Sequence, residues 1–136
     1  MSKLRYWVDV AAFLVFAVLL AVNESWTPRF CVGMGIALVA LVPWMIARSQ
    51  LGASFTVTAQ AKKLVTRGLY SRFRNPVYIF GQIAFLGEAI SWNQPIGYLF
   101  VILSIPMQVF RMRNEAAVLE QAFGDEYRKY KAKTWF

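Results

Sequence analysis

A short basic and aromatic segment stands directly before an apolar stretch of this chain and reads Tyr70-Ser71-Arg72-Phe73-Arg74-Asn75-Pro76. Asparagine is favoured just before a helix and proline suits the first helical position, so the sequence predicts a helix that starts here. The free amides of a helix start attract anions, and Arg74 would add a positive charge. The pattern therefore predicts an anion-binding corner or, on the simpler interpretation, a plain helix start whose arginines reach toward lipid phosphates.

A second candidate is the carboxylate of Glu115, which lies a few residues after the last apolar stretch. Basic residues would suit anionic lipid headgroups better at that place, so Glu115 indicates a cationic or hydroxyl-bearing partner nearby. Apolar side chains recur in the tail that carries it, at Leu119, Phe123, Tyr127 and Tyr130. A break is expected near Gly124, with Asp125 capping a second helix. The tail should form an amphipathic pair of helices, packed beside the site or anchored on the membrane surface.

Membrane helices must position these residues, because the composition is too apolar for a soluble domain. The 136 residues are 58% hydrophobic and 16% charged, and the mean hydropathy is +0.44. The apolar residues form blocks close to the roughly 20 residues that cross a bilayer. We predict four transmembrane helices at residues 6–22, 30–47, 76–92 and 96–110, with Pro43 and Pro106 inside the second and the fourth.

The predicted fold is all-α: an integral membrane helical bundle of four transmembrane helices in a single domain of residues 1–136. The middle connection, residues 48–75, and the tail, residues 111–136, hold nearly all the basic residues that do not precede the first span. The positive-inside rule therefore places both termini and the candidate site in the cytoplasm. The net charge of +8 is explained by this topology and by anionic lipid, so no nucleic acid partner is expected. A short chain without extra domains is typical of a prokaryotic inner-membrane protein.

The residue types that are missing or rare restrict the chemistry. The chain has no histidine and one cysteine, Cys31, so it lacks the usual ligands for zinc or haem and cannot form an internal disulfide. Proton transfer would have to use Asp, Glu, Tyr, Lys or the substrate itself. Glu88, inside the third span, is a functional candidate by default, although a position near the outer surface would leave it merely hydrated. The sequence leaves these two interpretations of Glu88 open.

Several separated motifs resemble one known family. They are Leu64-Val65-Thr66, Gly68, Tyr70, Arg74-Asn75-Pro76 with Tyr78 two positions on, Arg111 with Glu115 four positions later, and Phe123-Gly124 in the tail. In this order, over residues 51–136, they resemble the isoprenylcysteine carboxyl methyltransferase family and its phospholipid methyltransferase relatives. The chain departs from the family pattern where Leu69 replaces a proline, Ser71 an arginine, Asn75 the commoner histidine and Ala116 the second glutamate of a pair.

The resemblance implies a membrane methyltransferase that uses S-adenosylmethionine on the cytoplasmic side. It implies that the cofactor-binding residues are Leu64, Val65, Gly68, Tyr70, Arg74, Asn75, Pro76, Tyr78 and Glu115. It also implies catalytic roles for Arg74, Arg111 and Glu115, and no metal. The methyl acceptor is expected to be a carboxylate or an amine of a lipid-like isoprenoid or phospholipid. Two alternatives remain open: an NADPH-dependent membrane reductase of related architecture, and a non-catalytic lipid-binding member of the family. The acceptor and the oligomeric state are not determined by the sequence.

Overall fold

The computed structural model describes residues 2–52 and 64–135, with side chains from Trp7 onward, so residues 53–63 of the predicted connection lie outside the described part. Five α-helices are found in the described residues: α1 (Ser2–Asn23), α2 (Pro28–Leu51), α3 (Pro76–Trp92), α4 (Pro95–Phe123) and α5 (Asp125–Lys133). A short 3-10 turn, Gly68–Ser71, precedes α3. No strand occurs in these residues, which confirms the all-α class; an isolated parallel bridge joins Phe73 to Trp135.

Proline begins three of the helices, as expected for a residue that lacks a backbone N–H and is already fixed at a helical φ. Pro28, Pro76 and Pro95 are the first residues of α2, α3 and α4. The hydroxyl of Thr27 caps α2 by accepting from the Phe30 N–H at 3.2 Å. At the other end of α3, Asn93 adopts a left-handed conformation with a φ of 52°, which ends that helix and turns the chain into α4.

Two of the described helices, α2 and α4, are long and apolar enough to cross a membrane, and α1 has a shorter apolar stretch, Trp7–Asn23. α3 has 17 residues. These lengths, with the many large apolar side chains that face outward, indicate a membrane protein. The count of four spans and the cytoplasmic orientation stay predictions.

Small residues let α2 and α3 pack closely. A Cβ added at Gly33 would lie 2.6 Å from the backbone nitrogen of Ser91, and one added at Gly87 would lie 2.5 Å from the backbone nitrogen of Ala37. The hydroxyl of Ser91 donates across the same interface to the Phe30 carbonyl at 3.1 Å. Close approach through glycine and alanine is the usual way in which helices associate in lipid, and α2 and α3 pack in this way.

A polar network joins α3 to α4 along the membrane segment. The Gln82 amide donates to the Val101 carbonyl at 2.9 Å. Its oxygen accepts from Ser104 at 3.0 Å and from Gln108 at 2.6 Å. Because each of these groups has a partner, the network fixes the register of α4 against α3 without leaving them unsatisfied.

The tail differs in detail from the sequence prediction. α4 does not end near residue 110 but continues to Phe123, because charged residues do not break a helix, and Pro106 lies inside it. The break near Gly124 is confirmed, with a φ of 48° there. The prediction that Asp125 caps the last helix is wrong: Gly124 is the N-cap and Asp125 is the first helical residue.

Candidate active site

A cavity of about 640 Å³ lies between α1, α2, α3 and α4. One end is lined by Tyr78, Gln108 and Arg111, and the other by Trp92, Ile96 and Phe100, so the cavity follows α3 for most of its length. The wall between the two ends is largely apolar. A cavity of this shape suits an amphiphile, with its polar group at the Arg111 end and its chain among the membrane helices.

The polar end of the cavity meets a cluster formed by Tyr78, Arg111 and Glu115. Tyr78 stands in the first turn of α3, and its hydroxyl donates to Oε1 of Glu115 on α4 at 2.5 Å. Arg111 lies one helical turn before Glu115, and its guanidinium carbon is 5.9 Å from the centroid of the Tyr78 ring. The continuous helix α4 makes this possible, since residues four apart share a helix face.

The turn before α3 is held by packing and by backbone hydrogen bonds. Gly68 has a φ of 63°, and a Cβ there would lie 2.1 Å from the side chain of Gln50. The Gln50 side-chain oxygen accepts from the Leu69 N–H at 2.9 Å. Tyr70 is buried against Ala47 and Val77. The turn therefore needs glycine at residue 68, and it presents the segment around Tyr70 to the start of α3.

Helix α5 is hydrogen-bonded to this turn. The hydroxyl of Tyr130 donates to the buried carbonyl of Tyr70 at 2.8 Å. Beyond α5, the Trp135 carbonyl accepts from the Arg74 N–H at 2.9 Å, and the Trp135 N–H donates to the Arg72 carbonyl at 2.7 Å. The tail thus fixes the backbone on which Arg74 stands.

Burial is the main influence on the pKa values of Tyr127, Tyr70 and Tyr130. Burial raises the pKa of Tyr127, the positive charge of Arg74 lowers it, and the carboxylates of Glu120 and Glu115 raise it further. Burial also raises the pKa of Tyr70 above its usual range, and Tyr130, Glu115 and Tyr78 add to that effect. Burial raises the pKa of Tyr130 to about 12, with Tyr127 adding to the rise. These phenols are therefore protonated at neutral pH, and that of Tyr130 donates to the Tyr70 carbonyl.

The structure brings some of the predicted site residues together and leaves others apart. Tyr78 and Arg111 line the cavity, whereas Glu115 and Arg74 do not; Glu115 is joined to its polar end by the hydrogen bond from Tyr78. Val65 packs on the cluster around Tyr70, and Leu64 is half-buried. The site roles of these residues stay predictions.

The predicted helix start is observed in a particular form. Pro76 is the buried first residue of α3. The Asn75 side chain makes no capping hydrogen bond, and its carbonyl accepts from the N–H groups of Tyr78 at 3.1 Å and of Ile79 at 3.2 Å. Pro76 has no N–H, and the N–H groups of Tyr78 and Ile79 already donate to Asn75, so of the first-turn amides only that of Val77 is left for a ligand.

Sequence reasoning missed one ion pair in the cavity wall. Asp9 of α1 is hydrogen-bonded to Arg48 of α2, and both residues line the cavity. Arg48 also stands over the ring of Trp44, with its guanidinium carbon 5.0 Å from the centroid. The signal was present in the sequence, because Asp9 is the one charge in the first apolar stretch and a charge there requires a partner.

The helices and this site define a membrane protein with a polar cluster at one end of an amphiphile-sized apolar cavity. Comparison with protein families matches residues 26–126 to the family described as phospholipid methyltransferase. The match covers more than half of the chain, so the chain belongs to the phospholipid methyltransferase family and the resemblance in the sequence is confirmed. Membership supports an enzyme of the methyltransferase class that acts on lipid-like substrates. Comparison with curated proteins gave no match, and neither did comparison with solved structures.

Proposed function

We propose that this protein transfers a methyl group from S-adenosylmethionine to a carboxylate or an amine of a lipid-like acceptor at the cytoplasmic face of the membrane. One observation carries the proposal: the cluster of Tyr78, Arg111 and Glu115 stands at the polar end of an apolar cavity between the helices. An acceptor chain in that cavity would present its head group to this cluster.

The donor and acceptor groups beside the cavity fit S-adenosylmethionine. Its methionyl carboxylate requires a cation, which Arg74 would offer beside the start of α3. Its amino group and ribose hydroxyls require an acceptor, which Glu115 offers. In this proposal Arg74 and Glu115 would hold different parts of the same ligand. When bound, the cofactor would supply an electrophilic methyl group on a sulfonium.

The remaining work is positioning and the exclusion of water. Arg111 would hold an anionic head group at the cavity end, and the apolar wall would keep water from the nucleophile. Methyl transfer needs the reacting atoms about 3 to 3.5 Å apart and in line, so orientation supplies much of the rate. A carboxylate acceptor requires no base. An amine acceptor must lose a proton, for which Glu115, a tyrosine or bulk water could serve.

Cofactor binding is tested by thermal unfolding of the detergent-solubilised protein with S-adenosylhomocysteine. We expect stabilisation of the wild type, by about 2.7 kcal/mol at a ligand concentration one hundred times Kd. Arg74→Ala and Glu115→Ala should lose the effect. The matched controls Arg72→Ala and Glu126→Ala change exposed side chains and should keep it. No shift in the wild type at saturating ligand would contradict the proposal, and a shift with NADPH instead would favour the reductase alternative.

Turnover is tested with a radiolabelled methyl donor and a total lipid extract. We expect labelled lipid, which base treatment divides into labile esters and stable N-methyl products. The first product would assign a carboxylate acceptor and the second an amine. Ligand-induced stabilisation without labelled lipid would instead support the non-catalytic alternative.

A further inference from the structure

Glu88 lies far from the polar end of the cavity yet still lines it. It follows Tyr78 by ten residues on α3, so the two stand about 15 Å apart along the helix at 1.5 Å per residue. Its side chain is 5% exposed. Oε1 of Glu88 is buried and has no hydrogen-bond partner. In the described part of the chain, the other buried side-chain oxygens and nitrogens have partners.

Burying a carboxyl oxygen without a partner is costly, and the same helices show how such a cost is normally avoided. Ser91, one turn further along α3, donates to the Phe30 carbonyl. Gln82, six residues before Glu88, accepts hydrogen bonds from Ser104 and Gln108. These two polar groups of α3 are thus paired within the protein, whereas Glu88 lines the cavity and its Oε1 has no partner. The missing partner of its oxygen is therefore expected from a ligand.

The chemistry of the carboxyl group restricts that ligand. A carboxylate only accepts hydrogen bonds, whereas a protonated carboxyl group also donates one, so a ligand group that both donates and accepts suits either state. Phe16, Trp92 and Phe100 surround this end of the cavity. An ammonium would have to lose its hydration to pass among these rings, whereas a neutral hydroxyl loses far less. A hydroxyl on an otherwise apolar chain fits best.

We propose that the cavity binds a lipid with an anionic head group at Arg111 and a hydroxyl along its chain, and that this hydroxyl donates to Oε1 of Glu88. The inference rests on the proposed function in that such a lipid would be the methyl acceptor. It adds that the acceptor lipid carries a hydroxyl on its chain and that Glu88 recognises this hydroxyl.

The test compares two fatty acids that differ by one mid-chain hydroxyl, ricinoleate and oleate, as competitors of radiolabelled oleate on the protein in nanodiscs. We expect ricinoleate to bind roughly three- to tenfold more tightly than oleate, the range for one net hydrogen bond. Glu88→Leu should abolish this preference. Glu88→Gln should keep it, because the amide oxygen still accepts. Glu126→Gln, an exposed site on α5, is the matched control and should behave as the wild type.

Partition into the nanodisc lipid affects each fatty acid equally in all variants, so the ratio of the two affinities is the quantity that decides. An equal ratio in the wild type and in Glu88→Leu would overturn the proposal. If Glu88→Leu does not bind oleate, a change in the ligand is tested on the wild type instead. Ricinoleate whose hydroxyl is O-methylated lacks the donor and should bind the wild type no better than oleate; retention of the preference would overturn the proposal. The assay contains no methyl donor, so its outcome is separate from the S-adenosylhomocysteine test.

Discussion

The hydrogen bond between Tyr78 and Glu115 gives the sharpest quantitative prediction. Tyr78→Phe removes the hydroxyl that donates to Oε1 of Glu115 at 2.5 Å and leaves the ring beside Arg111 in place. A hydrogen bond to a charged group contributes about 1.5 to 3 kcal/mol. Both side chains are half-buried, so solvent screening favours the lower end of this range. We therefore expect the free energy of unfolding to fall by about 1.5 kcal/mol, as measured by reversible unfolding in mixed micelles.

A double-mutant cycle separates this bond from other effects of the substitution. Tyr78→Phe combined with Glu115→Ala should show a coupling energy of about 1 kcal/mol or more, because the two side chains lose one shared interaction. The control is Tyr98→Phe, which removes an exposed hydroxyl 3.5 Å from the Asn93 side chain and should cost less than about 0.5 kcal/mol. Additive effects of Tyr78→Phe and Glu115→Ala would refute the reasoning.

Two further substitutions test the packing around the site. Gly33→Ala should destabilise the protein by about 1 to 3 kcal/mol, because the new methyl group would lie 2.6 Å from the α3 backbone. Gly35→Ala on the same helix has open space and should be neutral or stabilising by up to about 1 kcal/mol, so equal effects in thermal unfolding would contradict the assigned interface. Tyr130→Phe should cost about 1 to 3 kcal/mol, because the buried Tyr70 carbonyl loses its partner. Burial raises the pKa of Tyr130 from 10 to about 12. The protonated Tyr130 side chain therefore stabilises the fold fully below pH 10, and this stabilisation is lost as the pH rises toward 12. A titration of stability over that window should be shallower in Tyr130→Phe, and an unchanged slope would contradict this role.

The sequence predicted the helix starts better than the helix ends. α3 begins at Pro76 and ends at Trp92, as predicted, because proline and a left-handed asparagine mark its limits. α2 and α4 continue past the predicted ends at residues 47 and 110, to Leu51 and Phe123. Hydropathy reports only where a helix is apolar, whereas the backbone hydrogen bonds continue through charged residues until a glycine stops them.

The candidate site was harder to predict from the sequence than the helices were. Tyr78 and Glu115 are 37 residues apart, and their contact depends on how α4 packs against α3, which no local pattern encodes. The family resemblance implied site roles for both residues, but it did not predict the hydrogen bond between them. The unpaired oxygen of Glu88 was equally hidden, since the sequence left a hydrated surface position and a cavity position open and only three-dimensional packing separates them.

The pairing of Trp135 with the backbone of Arg72 and Arg74 has a practical consequence for determining the orientation of this protein. Topology is commonly mapped by joining a reporter enzyme or a fluorescent protein to the tail. A bulky fusion placed directly behind Trp135 would pull on the segment that carries Arg74 and reduce activity for a reason unrelated to sidedness. A reporter for this chain should therefore follow a flexible spacer, or be inserted in the exposed loop at residues 24–27.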